Sequence, residues 1–367
     1  MYRIKMFDPQ IGDEEIAAVE RVLRSRWLAH GPEVEAFEKE FAEYVGVEYG
    51  AAVSNGTVAL VLALKALGIG PGDEVIVPTY TFIASATSVL MVGAKPVLVD
   101  VEWDTFNISV DEVQKAISPR TRAVIAVHLF GHPAEVKALR EICDDKGIYL
   151  IEDAAQAHGA EAYGRKVGSW GHVSTFSFYA TKNLTTGEGG MVLSNDKKII
   201  EKVKKLRNHG QVARYVHAEL GGNYRMTSFQ AAIGRVQLKK LDELNERRRR
   251  NARELMNLLQ GLGIELPVEK PWAKHVFHIF AVKMPSSEVR DCVAKCMVEK
   301  GIEVGVHYPI PIHRQPLFEK LGYGNVRLPI AERLSRVELS LPVHPGLTRS
   351  DLEVISLELR RCIERCS

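Results

Sequence analysis

Glu74-Val-Ile-Val-Pro-Thr-Tyr-Thr-Phe-Ile83-Ala-Ser-Ala-Thr-Ser-Val-Leu-Met-Val92-Gly-Ala-Lys-Pro-Val-Leu-Val99 carries no charge between Glu74 and Lys95. Val75 to Ala94 is long enough to raise the question of a membrane span. Pro78, Gly93, Tyr80 and the scattered Thr and Ser hydroxyls argue instead for a buried strand, a turn and a helix. The run Glu74–Val77 predicts one strand, Ile83–Val92 a helix, and Lys95–Val99 a second strand. Short apolar strands joined by helical crossovers indicate a parallel sheet covered on both faces.

The same alternation extends in both directions. Toward the N-terminus, Asp13–Ser25 and Glu33–Tyr44 have helical periodicity, Tyr49–Val53 reads as a strand, and Val58–Leu67 as an apolar helix stopped by Gly68. Beyond Val99, strands are predicted at Ala123–Val127 and Ile148–Ile151, with helices at Val110–Ile117 and Ala134–Lys146. Past Phe229 the pattern changes. Gln230–Leu259 reads as one long helix, followed by a strand at Phe277–Val282, a helix at Ser286–Lys300, a strand at Glu303–Val306 and a closing helix at Thr348–Arg365. The expected organisation is a large α/β domain over residues 1–245 and a smaller α/β domain over 246–367.

A chain of 367 residues buries roughly 75% of its unfolded surface and needs neither disulfide nor metal to hold a core. Apolar residues make up 46%, charged residues 26%, and the net charge is +2. That balance argues against a general nucleic-acid or membrane-surface binder. The five cysteines form no dense framework and suggest a reducing compartment. Cys292/Cys296 and Cys362/Cys366 have helical i,i+4 spacing, which is too wide for a bond within either pair, so helix packing is expected of them. The first residues lack the apolar core of a secretory signal, and a cytoplasmic location is expected.

Ligands of open parallel sheets sit at the carboxyl ends of the strands, and three motifs fall there. Ser54-Asn-Gly-Thr57 joins a strand to a helix, where free amides and the helix dipole attract an anion. The plainer reading is an N-cap. Ile151-Glu-Asp-Ala-Ala-Gln156 ends a strand. A carboxylate buried there needs a partner, and a protonated ring nitrogen would serve; the plainer reading is a surface acidic turn. Two adjacent carboxylates also permit a metal, but no companion spacing supports one. In Val173-Ser-Thr-Phe-Ser-Phe-Tyr-Ala-Thr-Lys182, Lys182 is the only Lys or Arg between Lys166 and Lys197. Desolvation lowers a lysine's pKa and frees the amine to attack a carbonyl. A phosphate site, an acid for a pyridine nitrogen and an amine for an aldehyde together match the three handles of pyridoxal 5'-phosphate (PLP).

With these motifs, and with Gly-Asp-Glu-Val-Ile-Val-Pro-Thr-Tyr-Thr-Phe82, Phe-Ser-Phe-Tyr-Ala-Thr-Lys182-Asn-Leu-Thr-Thr-Gly-Glu-Gly-Gly190 and Asn223-Tyr-Arg-Met226, the chain resembles the DegT-type sugar aminotransferases. These are a branch of the fold-type I (aspartate-aminotransferase-like) PLP enzymes. The likeness runs from about Ile4 to past Leu341. It implies that Lys182 forms the Schiff base and shuttles the proton, that Asp153 pairs with the pyridinium nitrogen, and that Gln156 lies near the ring hydroxyl. It also implies that Phe82 stacks on the ring and that Gly56, Thr57, Val58 and Ser177 hold the phosphate. Asn223 would reach that phosphate from a partner subunit, making the protein a homodimer with a shared active site. One departure is Gly171-His172, where the family has Gly-Asp.

The resemblance further implies amino transfer from an amino acid, glutamate, to a nucleotide-linked keto sugar. The Lys182 segment looks like enzymes acting at C4 of 4-keto-6-deoxy sugars, and C4 is the position expected first. The segment His307-Tyr-Pro-Ile-Pro-Ile-His313-Arg-Gln315 looks like enzymes acting on 3-keto sugars, with Tyr308 and His313 as candidate substrate contacts. A PLP sugar dehydratase and a non-enzymatic relative are the rival readings. The run Arg247–Arg250 could meet a diphosphate, although a solvated helix face is the plainer reading.

Overall fold

The computed structural model describes residues 2–366. Its central sheet has seven strands: β1 (Tyr49–Val53), β2 (Glu74–Pro78), β3 (Lys95–Val99), β4 (Thr121–Val127), β5 (Tyr149–Asp153), β6 (Val173–Ser177) and β7 (Gly190–Ser194). Their spatial order is β1-β7-β6-β5-β4-β2-β3. β3, β2, β4, β5 and β6 are mutually parallel. β7 is antiparallel to both of its neighbours, β6 and β1, so the expected parallel sheet is mainly but not wholly parallel.

The period-2 alternation of strand side chains sorts the apolar residues onto two faces. Val75, Val77, Ile125 and Ile151 pack in one buried cluster, and Ile76, Val124, Ala126 and Leu150 in another. The helices that supply the other halves of these and the neighbouring clusters are α1 (Asp13–Ser25), α2 (Pro32–Val45), α3 (Gly56–Ala66), α4 (Ala84–Met91), α5 (Val110–Ala116), α6 (Val136–Lys146) and α7 (Lys197–Leu206). Phe37 and Phe41 of α2 pack on Phe176 of β6 and on Phe178. Leu62 of α3 and Val203 of α7 cover Ala51, Val53 and Val192. Each large side chain buried in this way contributes about 1.5–3 kcal/mol.

Helix α8 (Ser228–Leu258) opens on a capping box of Thr227 and Gln230 and runs through position 245 without a break. Beyond it, β8 (Phe280–Lys283) and β9 (Glu338–Leu341) form an antiparallel pair. Helices α9 (Ser287–Glu299), α10 (Pro316–Lys320), α11 (Pro329–Val337) and α12 (Arg349–Cys366) complete the C-terminal region. Residues 303–306 form no strand. This segment contributes only an isolated bridge from Gly305 to Ser340, on the edge of β9 away from β8. The end of α8, β8, β9, α9 and α12 bury one core that includes Ile4. Phe318 of α10 and Leu334 of α11 pack instead with the β2–β5 face.

The four paired cysteines overturn the expectation of packing alone. Cys292 bonds to Cys366 and Cys296 to Cys362, with Cα separations of 5.8 and 5.7 Å, and Cys143 is buried and free. The i,i+4 spacing puts two sulfurs on one face of each helix, and packing α9 against α12 brings those faces together. No reading confined to one helix could show this. Likewise, Arg248 and Arg249 are buried rather than solvated, with Arg249 paired to Glu269 and the His275 carbonyl.

The bonds span 74 and 66 residues in sequence. Closing the first loop is worth about 4 kcal/mol. The second adds less, because it closes only the few residues between the two bonds. Thiol titration of the denatured, unreduced protein is expected to find one thiol rather than five. Guanidinium unfolding is expected to rank native above Cys292→Ser/Cys366→Ser, and that above the fully reduced protein. Five free thiols, or no effect of reductant, would contradict this.

Candidate active site

The carboxyl ends of β4, β5 and β6 and the N-terminus of α3 open on a cavity of about 940 Å³. Of the residues singled out from the sequence, Gly56, Thr57, Val58, Phe82, Asp153, Gln156, Ser177, Lys182 and Tyr308 all line it. They come from segments more than 250 residues apart, and the fold gathers them at the strand ends where open α/β sheets bind ligands.

The corner at the start of α3 is built by close approach. Asn55 caps α3, its Oδ1 accepting the Val58 N–H at 2.9 Å. The amides of Gly56 and Thr57 are left among the donors that the first turn of a helix cannot satisfy internally. A Cβ added at Gly56 would lie 2.7 Å from Ser177 Cβ, so only glycine lets this helix start press against the end of β6. The hydroxyls of Thr57 and Ser177 complete a donor set suited to a phosphate.

Glu152 and Asp153 lie at the end of β5 and point to opposite faces. Glu152 is fully buried. It accepts the N–H groups of Gly168, Trp170 and Gly171 at 2.6–2.8 Å and meets His128 Nε2 at 3.0 Å. Asp153 faces the cavity, and its carboxylate accepts from Ser85 Oγ at 2.8 Å and from the Ala155 N–H at 3.3 Å. Burial pushes its pKa above the ordinary carboxylate value, opposed by those bonds and by the Lys182 charge. The surface-turn reading therefore fails. No group of three or more His, Cys, Asp or Glu side chains among the described residues is placed to hold a metal.

Lys182 follows β6 in a turn. Burial pulls its ammonium pKa down to about 8, with Asp153 acting in the opposite sense. Gln156 accepts the Phe130 N–H at 2.7 Å and donates to Tyr308 Oη at 3.1 Å, which ties the large sheet to the C-terminal region across the cavity. Phe82 stands at the rim with 55% of its surface exposed, its ring 6.2 Å from that of Tyr308. An aromatic side chain so exposed beside a pocket has a free face to offer a flat ligand.

Two candidates lie elsewhere. His313 does not line the cavity. It is buried between Thr79 Oγ1, at 2.8 Å from Nδ1, and Glu332 Oε1, at 3.0 Å from Nε2. A short 3₁₀ turn, Ile312–Arg314, rotates it away from the side of the segment on which Tyr308 sits. Asn223 is exposed and does not line this chain's own cavity. His307, His278 and Ser85 line the cavity and were not singled out from the sequence. Their signal is tertiary: Ser85 donates to Asp153, and His307 is held by Ser340.

PLP needs a phosphate cradle, an acid for its ring nitrogen, an amine and a ring-covering side chain, and each has its counterpart in this one cavity. The model of the DegT/DnrJ/EryC1/StrS aminotransferase family matches residues 9–360. The chain is 43% identical to the dTDP-3-amino-3,4,6-trideoxy-alpha-D-glucose transaminase of Streptomyces venezuelae, across 99% of this chain and 97% of that one. It is 35% identical to the dTDP-4-dehydro-2,3,6-trideoxy-D-glucose 4-aminotransferase of Saccharopolyspora spinosa, across 98% and 97%. The crystal structure of S. venezuelae DesV with a ketimine intermediate superposes with a TM-score of 0.91 at 43% identity, covering 96% and 95% of the two chains. The α/β fold is that of these PLP aminotransferases, and the chain belongs to the DegT/DnrJ/EryC1/StrS aminotransferase family.

Proposed function

We propose that this chain transfers an amino group from an amino acid, glutamate, to a nucleotide-linked keto sugar, using PLP held in the 940 Å³ cavity. The observation that carries this reading is the convergence of a desolvated lysine, a buried carboxylate and a helix N-terminus on that one space. The α3 amides, Thr57 and Ser177 would bind the phosphate. Asp153 would hold a negative charge toward the ring nitrogen, a cationic partner that relieves the cost of its burial. Phe82 would cover one ring face, and Gln156 would orient the ring hydroxyl. Bound there, PLP supplies the electron sink that amino transfer requires.

Lys182 Nζ is the group that accepts and returns the proton. With its pKa near 8, roughly 10²–10³-fold more of it is free amine at neutral pH than of an ordinary lysine. The protein is proposed to act as a homodimer in which Asn223, exposed here, completes the partner's phosphate site.

Two positions on the sugar are in play. Closer identity to a relative named as a 3-amino sugar transaminase than to one named as a 4-aminotransferase supports C3. The Lys182 segment supports C4, the position expected first from the sequence. Regiochemistry of the product by NMR, with each keto sugar offered in turn, separates them.

Borohydride treatment of the PLP-loaded protein followed by peptide mass spectrometry is expected to place the cofactor mass on Lys182. Lys182→Ala should lose that adduct and at least about 10³-fold in turnover. An adduct on another lysine would sink the assignment. The borohydride-trapped fraction should also rise with pH through about 8, since only the free amine attacks a carbonyl and the lowered pKa makes it available there. In Asp153→Asn, loss of the neighbouring negative charge should move that midpoint lower, while turnover drops by about 10²–10³-fold. A midpoint that stays put or rises would mean that the two side chains do not interact.

A further inference from the structure

His307 lines the cavity, and its ring is held from behind. Nδ1 lies 2.9 Å from Ser340 Oγ. The Ser340 hydroxyl in turn meets Glu338 Oε1, and the other oxygen of that carboxyl accepts the His307 backbone N–H at 2.7 Å. Glu338 and Ser340 are two residues apart on β9, so they share one face of the strand, and both are fully buried. A Cβ at Gly305 would sit 2.9 Å from His307 Cε1; the absence of a side chain there lets the ring fold back against β9. Nε2, the ring's other nitrogen, has no hydrogen-bond partner among the described residues and is the atom left for the cavity.

We propose that Glu338 and Ser340 are positioning residues that set the tautomer of His307, so that its Nε2 acts toward the acceptor sugar as an uncharged hydrogen-bond donor or acceptor according to the proton on Glu338. The part played by the sugar rests on the aminotransferase reading; the relay itself does not.

The relay follows from what each group can donate. With Glu338 ionised, Ser340 donates to it and accepts from Nδ1–H, which leaves a lone pair at Nε2. With Glu338 protonated, its O–H donates to Ser340 and Ser340 donates to Nδ1, which puts the hydrogen on Nε2. A proton taken up at Nε2 is therefore balanced by Nδ1–H passing to Ser340 Oγ and the serine proton passing to Glu338. The ring carries no net charge at either end.

The environment favours this neutral exchange over an imidazolium. Burial and the Lys182 charge hold His307 down at about 4, whereas burial lifts Glu338 to about 8. The groups facing Glu338 are Ser340 and His307, Arg290 of α9, whose guanidinium donates to the Glu338 backbone carbonyl at 3.2 Å, and the phenols of Tyr80, just beyond β2, and Tyr308. Tyr80 Oη donates to the His307 carbonyl and accepts the Tyr308 N–H. Of these, Arg290 supplies a positive charge that favours the ionised carboxylate, and burial outweighs it.

The test is ¹⁵N NMR of histidine-labelled protein without cofactor or substrate, with the His307 ring assigned by its loss in His307→Asn. Wild type is expected to shift from the Nε2–H to the Nδ1–H tautomer as pH rises through about 8. Glu338→Gln should remain Nε2–H at every pH, because its amide N–H donates to Ser340 as the protonated acid would. Ser340→Ala should lose the pH-dependent change altogether, and it carries the test if Glu338→Gln does not fold. A wild-type ring that stays Nε2–H throughout, or a transition that persists unchanged in either variant, overturns the relay. Failure to find PLP on Lys182 would overturn the aminotransferase reading and leave this spectrum unaffected.

Discussion

The end of β5 is where the structure is most constrained. Glu152 brings a carboxylate into a fully buried space and is matched there by three backbone N–H donors and His128. Removing any one of those donors leaves part of a buried carboxylate unpaired, which costs several times what an ordinary hydrogen bond contributes. The loop Gly168–Gly171 is thereby fastened to the strand end, and β6 starts from it in register with β5. Because successive strand residues face opposite ways, fixing Glu152 on one face fixes Asp153 on the other, toward the cavity. The two acids are adjacent in sequence and do different work: one holds the scaffold and the other faces the cavity.

From that anchor the rest of the cavity follows by packing. β6 carries Ser177 to the point where α3 begins, and Gly56 lets the helix start approach within van der Waals contact. The turn after β6 delivers Lys182 into a partly buried space that lowers its ammonium pKa to about 8. The same desolvation raises Asp153 and lowers Lys182, so each weakens the charge of the other's partner while their mutual attraction works against both shifts. A cationic ring nitrogen beside Asp153 would resolve this balance in favour of the carboxylate. The C-terminal region closes the far wall through the hydrogen bond of Gln156 to Tyr308 and through the ring of His307, held by Ser340.

That region also shows how a small core is reinforced. β8 and β9 form a sheet of only two strands, a size with little stability of its own. Helices α9 and α12 cover it and are bonded to each other through four cysteines. The position of His307 in the cavity wall depends on β9, and β9 depends on that covered core.

Much of this was legible in the amino-acid order. The strand–helix alternation from Tyr49 to Asp153 was readable, and so was the gathering of the Ser54–Thr57 turn, Asp153 and Lys182 at the strand ends, because local periodicity and rare residue types carry their own physical signal. Tertiary structure alone decided the remainder. β7 turns back antiparallel on β6 and is fixed between it and β1, a strand far back in the sequence. His313 turns into a pocket of Thr79 and Glu332, and His307 turns toward the cavity, because side-chain direction depends on the strand each rests against. The cysteines meet across two helices whose separation along the chain hides their contact. Sequence determines what each residue is able to do; which residues share a space with low dielectric, and so which of those abilities are used, is set only when distant segments pack together.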